Sequence, residues 1–266
     1  METRTPMLIP ESKAFETVEV LWVKHWNEGL FSFAVTRPRS FRFRSGEFVM
    51  IGMPIDGKPL VRAYSVANPA YAEELEFLSI KVPNGPLTSR LQNIQPGDQL
   101  YLGRKPTGTL VSEALRPGKR LFLLSTGTGL APFLSIIRDP DIYERFDHII
   151  LTHSVRQVSD LAFYDELESR LADDPLISEE AASQFHYVPT VTREEFRNTV
   201  RIDKLIEDGT LFAVGDKQFD PENDRIMMCG SMDMIKQFSE YFEGLNFEEG
   251  ANSKPGDFVI ERAFVG

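Results

Sequence analysis

The sequence predicts a two-domain protein: an all-β half, barrel or sandwich, followed by an α/β half built on a parallel sheet. Three observations carry this reading. The first hundred residues alternate short β-branched and aromatic runs with turn residues, the pattern of an all-β unit. From Arg120 onward, continuous apolar runs alternate with segments of helical periodicity. Between the two lies Arg116-Pro117-Gly118-Lys119, where the character changes, so the expected division is residues 1–116 and 117–266.

In the first half, Phe15 to Trp26 and Leu30 to Thr36 read as strands joined by the turn Asn27-Glu28-Gly29. Strands follow at Glu47 to Met53, Leu60 to Ala67 and Leu75 to Val82, and at Gln99 to Lys105 after the turn Gln95-Pro96-Gly97-Asp98. The one helix expected here runs from about Pro86 to Asn93. In the second half, Arg120 to Ser125 is an apolar strand of the buried, parallel kind. A helix from Ala131 to Arg138 and a strand from His148 to His153 come next. Ser159 is expected to cap a helix in which Tyr164, Leu167 and Leu171 recur. Phe185 to Val191 and Arg225 to Cys229 are further strands. Ser231 caps a helix with Met234, Ile235, Phe238, Phe242 and Leu245 on one face, and Asp257 to Phe264 is the last strand. Repeated β-α-β units imply parallel strands with right-handed crossovers.

Composition narrows the function. A length of 266 residues suits two domains of ordinary size, and 42% hydrophobic residues support packed cores. A net charge of -11 argues against a general nucleic-acid binder. The single cysteine, Cys229, allows no internal disulfide and no cluster held by four thiolates of this chain. Four histidines without an HExxH pattern give no reason to expect a metal site. Met1 to Ser12 lacks a signal-peptide core, and no window reaches the roughly 20 apolar residues of a membrane span. The expected location is the cytoplasm.

Four short stretches carry chemistry. Gly127-Thr128-Gly129-Leu130-Ala131-Pro132 follows a strand and opens a helix. Glycines there let the backbone approach a pyrophosphate, and the helix N-terminus offers N–H donors; an ordinary strand–turn–helix junction reads the same way. Arg62-Ala63-Tyr64-Ser65 lies in a strand, with Arg62 and Tyr64 on one side and Ala63 and Ser65 on the other. An Arg there can neutralise a diphosphate, and a Tyr can offer a flat face to a flavin; a plain barrel strand reads the same way. Gly85-Pro86-Leu87-Thr88 is a pyrophosphate turn or an ordinary helix start. Cys229-Gly230-Ser231 ends a strand at the carboxyl edge of the parallel sheet, where ligands bind; Cys229 touches a nicotinamide there or is simply a buried thiol.

Charge adds two features. Thr192-Arg193 and Arg201 follow the third parallel strand, and Arg156 follows the second. Two strand-end loops with Arg, neither beginning with an acid, favour NADP(H), whose 2′-phosphate an Arg accommodates. Arg37, Arg39, Arg42 and Arg44 form a basic run. Phe41 and Phe43 alternate with the last two, so these arginines share an outward strand face that either docks an acidic carrier or is merely solvated.

In this order the four motifs resemble the ferredoxin–NADP⁺ reductase family, its bacterial type most closely, from about Phe15 to Gly266. The resemblance implies an antiparallel FAD-binding β-barrel and an NADP-binding α/β domain. It implies an FAD site at Arg62, Ala63, Tyr64, Ser65, Gly85, Pro86, Leu87, Thr88 and Phe264. Arg62 meets the pyrophosphate, Tyr64 stacks on the isoalloxazine and Ser65 lies near flavin N5. An NADP site is implied at Thr128, Gly129, Pro132, Arg156, Thr192, Arg193, Arg201, Cys229 and Gly230. The reacting rings then meet at Tyr64, Ser65, Cys229 and Ala263. The implied activity is hydride exchange between NADP(H) and flavin and single-electron exchange with ferredoxin or flavodoxin, by a monomer. Two other readings stand beside it: a flavin or oxygenase-type reductase serving another acceptor, and a non-catalytic flavin-binding sensor or subunit.

Overall fold

A computed structural model describes residues 4–262, the Arg262 side chain excepted. The chain forms two compact units that part between Gly108 and Thr109.

The first unit contains β1 (Phe15–His25), β2 (Leu30–Thr36), β3 (Phe48–Ile55), β4 (Lys58–Ser65), β5 (Glu74–Ile80), α1 (Thr88–Leu91) and β6 (Gln99–Gly103). The strand order is β4-β3-β6-β1-β2-β5, and every neighbouring pair is antiparallel. The two outer strands meet. The Tyr64 hydroxyl on β4 lies 3.1 Å from Ser79 Oγ on β5, and just past β4 the Ala67 N–H donates to the Glu76 carbonyl at 2.8 Å. The sheet therefore curls into a barrel whose outer strands come together. Alternate residues face inward, as the period of a strand requires. Val18, Val20, Phe31, Phe33, Val49, Ile51, Phe77, Leu100 and Leu102 fill the interior. Asp56 and Gly57, both with positive φ, form the two-residue turn from β3 to β4, the geometry that matches strand twist.

The second unit contains β7 (Arg120–Thr126), α2 (Ala131–Ile136), α3 (Pro140–Arg145), β8 (His148–Val155), α4 (Tyr164–Glu168), α5 (Ser178–Gln184), β9 (Phe185–Val191), α6 (Ile202–Glu207), β10 (Asp224–Gly230), α7 (Met232–Gly244) and β11 (Phe258–Arg262). All five strands are parallel, in the order β11-β10-β7-β8-β9. The chain starts at the centre with β7, builds outward through β8 and β9, then returns to the other side of β7. The order thus reverses between β7 and β10, and the carboxyl ends at such a reversal are where open α/β sheets bind their ligands. Phe122, Leu124, Ile226 and Met228 pack on Met234, Ile235, Phe238 and Phe242 of α7. Ser231 caps that helix by accepting from the Met234 N–H at 3.3 Å.

Four expectations need correction. Ser159 caps no long helix: residues Val158–Asp160 form one tight turn, closed reciprocally by the Gln157 and Asp160 side chains. The helix starts only at Tyr164, after left-handed Phe163, and Leu171 lies beyond it in a left-handed conformation of its own. Leu245 stands past the end of α7 and is exposed, because the helix stops at Gly244. The basic run forms no strand. Phe41 and Phe43 still turn inward while Arg42 and Arg44 point out, but Arg37 donates to the carbonyls of Phe41, Ala70 and Ala72 and holds that loop together.

Candidate functional site

The carboxyl ends of β7 and β10 gather two of the four motifs. Gly127–Leu130 forms a tight turn that leads directly into α2, with Pro132 in its first turn. Gly129 lies against the end of β10: a Cβ on it would stand 2.2 Å from the Cys229 carbonyl oxygen, so only glycine allows this approach. Gly230 has φ +159, and its added Cβ would meet Thr126 Oγ1 at 2.1 Å. That same hydroxyl accepts the Ser231 N–H at 2.9 Å, tying the ends of β7 and β10. Gly127 differs. It is exposed, adopts φ +55, and a Cβ built on it meets nothing within 4 Å. A backbone free of side chains, facing open space at a strand-to-helix turn, fits the phosphate or nicotinamide part of a dinucleotide.

Cys229 is buried, and in the parallel pairing it faces Ser125 on one side and Glu261 on the other. Burial pushes its thiol well above the ordinary range, and the Glu261 carboxylate pushes it further. The thiol is thus protonated and inert, able to touch a ring without attacking it.

The arginines gather at the ends of β8 and β9. The Thr192 N–H and hydroxyl both donate to the Val155 carbonyl, at 2.9 and 3.1 Å, and the Arg193 N–H donates to the Arg156 carbonyl at 3.0 Å. Arg156 and Arg193 therefore leave the sheet side by side, both exposed. The loop beyond them folds back, with the Asn198 carbonyl accepting from the Val191 N–H, and brings Arg201 to the start of α6. Nearby Arg197 is paired with Glu168 through both nitrogens, and Glu194 accepts the Val158 N–H. Among the described residues, Arg156, Arg193 and Arg201 have no carboxylate partner. Guanidinium groups without a carboxylate partner, in a protein of net charge -11, suit an anion.

In the first unit, Arg62 and Ala63 are exposed on β4, and the Arg62 guanidinium bonds only the Val61 carbonyl among the described residues. Tyr64 is half-buried with its edge toward Phe33 and Phe77. Burial raises its hydroxyl pKa, while the Ser79 bond and the Arg62 charge oppose that rise. Gly85-Pro86-Leu87-Thr88 is a compact turn: the Gly85 N–H donates to the Val82 carbonyl, and Thr88 Oγ1 folds back on the same oxygen. The helix after it is a single turn, so the local amide groups rather than a helix dipole define the place. A guanidinium without a carboxylate partner among the described residues on one strand, and a compact turn after another, suit a flavin dinucleotide. Ala263 and Phe264 lie outside the described residues.

Three neighbours escaped sequence reasoning. Thr126 ends β7, Glu261 faces Cys229, and His153 sits buried under Gly127. Only the strand pairing reveals the last two; Thr126 directly precedes the Gly127 turn and its hydroxyl was legible there.

The sequence matches the oxidoreductase FAD-binding domain family over residues 22–111 and the oxidoreductase NAD-binding domain family over residues 123–240. Together with the fold, this defines a flavin- and nicotinamide-type oxidoreductase. The flavodoxin/ferredoxin–NADP reductase of Rhodobacter capsulatus is 50% identical over 268 residues, covering 100% of this chain and 99% of its own. The ferredoxin–NADP reductase of Azotobacter vinelandii is 51% identical over 248 residues, covering 92% and 96%. A solved structure of a ferredoxin NADP⁺ reductase from Neisseria gonorrhoeae, with bound FAD and NADP, matches with a TM-score of 0.85 at 32% identity, over 95% of this chain and 100% of that one. The chain belongs to the ferredoxin–NADP reductase family.

Proposed function

We propose that this protein is an FAD-dependent reductase that exchanges a hydride with NADP(H) and single electrons with ferredoxin or flavodoxin. The observation that carries the reading is the meeting of Gly127-Thr128-Gly129 and Cys229-Gly230 at the carboxyl ends where strand order reverses. Bound FAD supplies the step from two-electron to one-electron chemistry. The chain's own residues bind and orient. Arg62, Ala63, Tyr64 and Ser65 with Gly85, Pro86, Leu87 and Thr88 would hold FAD, Arg62 supplying the charge opposite its pyrophosphate. Thr128, Gly129, Pro132, Cys229 and Gly230 would receive the nicotinamide and pyrophosphate part of NADP. Arg156, Thr192, Arg193 and Arg201 would receive the 2′-phosphate. No side chain needs to act as nucleophile or general base; in the second unit Cys229 would border the nicotinamide, and in the first unit Ser65 would border the flavin.

The carrier is a small acidic protein in this reading. Arg39 is exposed and suits it; Arg42 is exposed too but donates to the Arg39 and Phe41 carbonyls, Arg44 is paired with Glu47, and Arg37 serves its own loop. We take the protein to act as a cytoplasmic monomer; no described helix is long and apolar enough to cross a membrane. The test is NADPH-dependent reduction of purified ferredoxin and flavodoxin by the yellow protein. Reduction of at least one supports the assignment. Turnover with a dye acceptor but with neither carrier would move the chain to the reductases that serve another acceptor.

A further inference from the structure

His153 lies on β8 beneath the Gly127 turn and is 1% exposed. Its Nε2 stands 3.1 Å from the Gly127 carbonyl oxygen, and its Nδ1 stands 3.4 Å from the Tyr187 hydroxyl on β9. A carbonyl oxygen only accepts, so Nε2 carries the proton. Burial lowers the imidazole pKa to about 4, with the Gly127 bond opposing, so the ring is neutral at physiological pH. Nδ1 is then a bare acceptor, and the Tyr187 hydroxyl donates to it. Tyr187 is the right donor: burial pushes its own pKa up and keeps the phenol protonated. One tautomer satisfies both contacts.

The consequence lies in the turn. Carbonyl and N–H point in opposite directions across a trans peptide, so drawing the Gly127 carbonyl toward the buried imidazole aims the Thr128 N–H away from it. Gly127 also sits in the left-handed region, with open space where a Cβ would stand, so no side chain of its own anchors that peptide plane. The β10 side of the turn is fixed by Thr126 and Gly129, as described above; His153 is the side-chain link found on the β8 side among the described residues.

We propose that His153, oriented by Tyr187, is a positioning residue that sets the Gly127–Thr128 peptide for binding a nicotinamide dinucleotide. The inference rests on the assignment of this turn to NADP(H) and adds the device that pre-orients it. Removing the donor takes away the side-chain partner of the Gly127 carbonyl and loosens that peptide plane, which weakens the bound dinucleotide.

The test uses the FAD-loaded enzyme with a dye acceptor, and NADP⁺ titration followed by flavin difference spectra. His153→Phe keeps bulk and loses the donor; KM for NADPH and Kd for NADP⁺ should rise about tenfold, with kcat and FAD content changing by less than about twofold. His153→Gln restores an N–H near the carbonyl and should recover most of the affinity. Tyr187→Phe leaves the imidazole but frees its tautomer, and should raise KM by about threefold. If His153→Phe does not fold, Tyr187→Phe decides. Unchanged KM and Kd in the folded variants, whatever their melting temperature, would overturn the proposal. If the wild-type enzyme itself gave no response to NADPH or NADP⁺, the NADP(H) assignment would fail instead.

Discussion

Cys229 and Glu261 face each other on the parallel strands β10 and β11, and the carboxylate adds to burial in holding the thiol protonated. A thiol in that state packs against a ring and resists alkylation. Glu261→Gln removes the smaller of the two causes, so the thiol pKa falls and iodoacetamide labelling at pH 8 should quicken by about threefold, no more, since burial remains. Equal labelling rates would mean that the two groups do not interact.

Cys229→Ala should leave FAD bound and slow hydride transfer by about tenfold, because a methyl group leaves a gap beside the nicotinamide. Stopped-flow reduction by NADPH measures this. An unchanged rate would place the nicotinamide elsewhere.

Arg193→Ala together with Arg201→Ala should raise KM for NADPH by about 100-fold while moving KM for NADH by less than about threefold. The reason is that these guanidinium groups lack carboxylate partners among the described residues, whereas Arg197 is neutralised by Glu168. Adding Arg156→Ala should deepen the difference. Equal losses for both nucleotides would refute the 2′-phosphate assignment.

Two glycines separated by one residue should behave oppositely. Gly129→Ala drives a methyl group into the Cys229 carbonyl, 2.2 Å away, and should cost roughly 2–4 kcal/mol, seen as a lower melting temperature of the second unit. Gly127→Ala meets no atom within 4 Å and costs only the left-handed strain of about 1 kcal/mol, yet its methyl group occupies the dinucleotide's space and should raise KM for NADPH. A Gly127→Ala enzyme with normal KM would show that the space is unused.

Acid should weaken the fold through His153. The unfolded chain takes up a proton as pH falls through 6.5, but the folded chain does so only at about 4. Stability from the neutral ring is thus complete above pH 6.5 and declines between pH 6.5 and about 4, by about 3 kcal/mol in all. His25 and His186, whose values burial also lowers, act in the same direction. Urea midpoints at pH 7 and pH 4.5 measure the slope, which His153→Gln should visibly flatten. An identical slope in that variant would contradict the assignment of a buried neutral imidazole.

Much of this architecture was legible in the sequence because its signals are local. Strands Leu30–Thr36 and Phe185–Val191 fall where period and composition place them. The same holds for the Ser231 cap, whose side chain bonds within one turn. The errors arose where distant contacts decide. Arg37 looks like a surface charge until Ala70 and Ala72 fold back to present their carbonyls. Ser159 looks like a cap until Gln157 and Asp160 close the turn around it. The Asp56-Gly57 turn is readable from its dipeptide alone. Tyr187, His153 and Gly127 are far apart in sequence, and only the register of three parallel strands makes them neighbours.

Anaerobic rapid mixing shows whether one chain passes electrons from NADPH to a bound flavin. The purified FAD-loaded protein is mixed with NADPH, and separately with NADH, while flavin absorbance is followed. The account predicts fast bleaching by NADPH and much slower bleaching by NADH. Bleaching by neither nucleotide would contradict it.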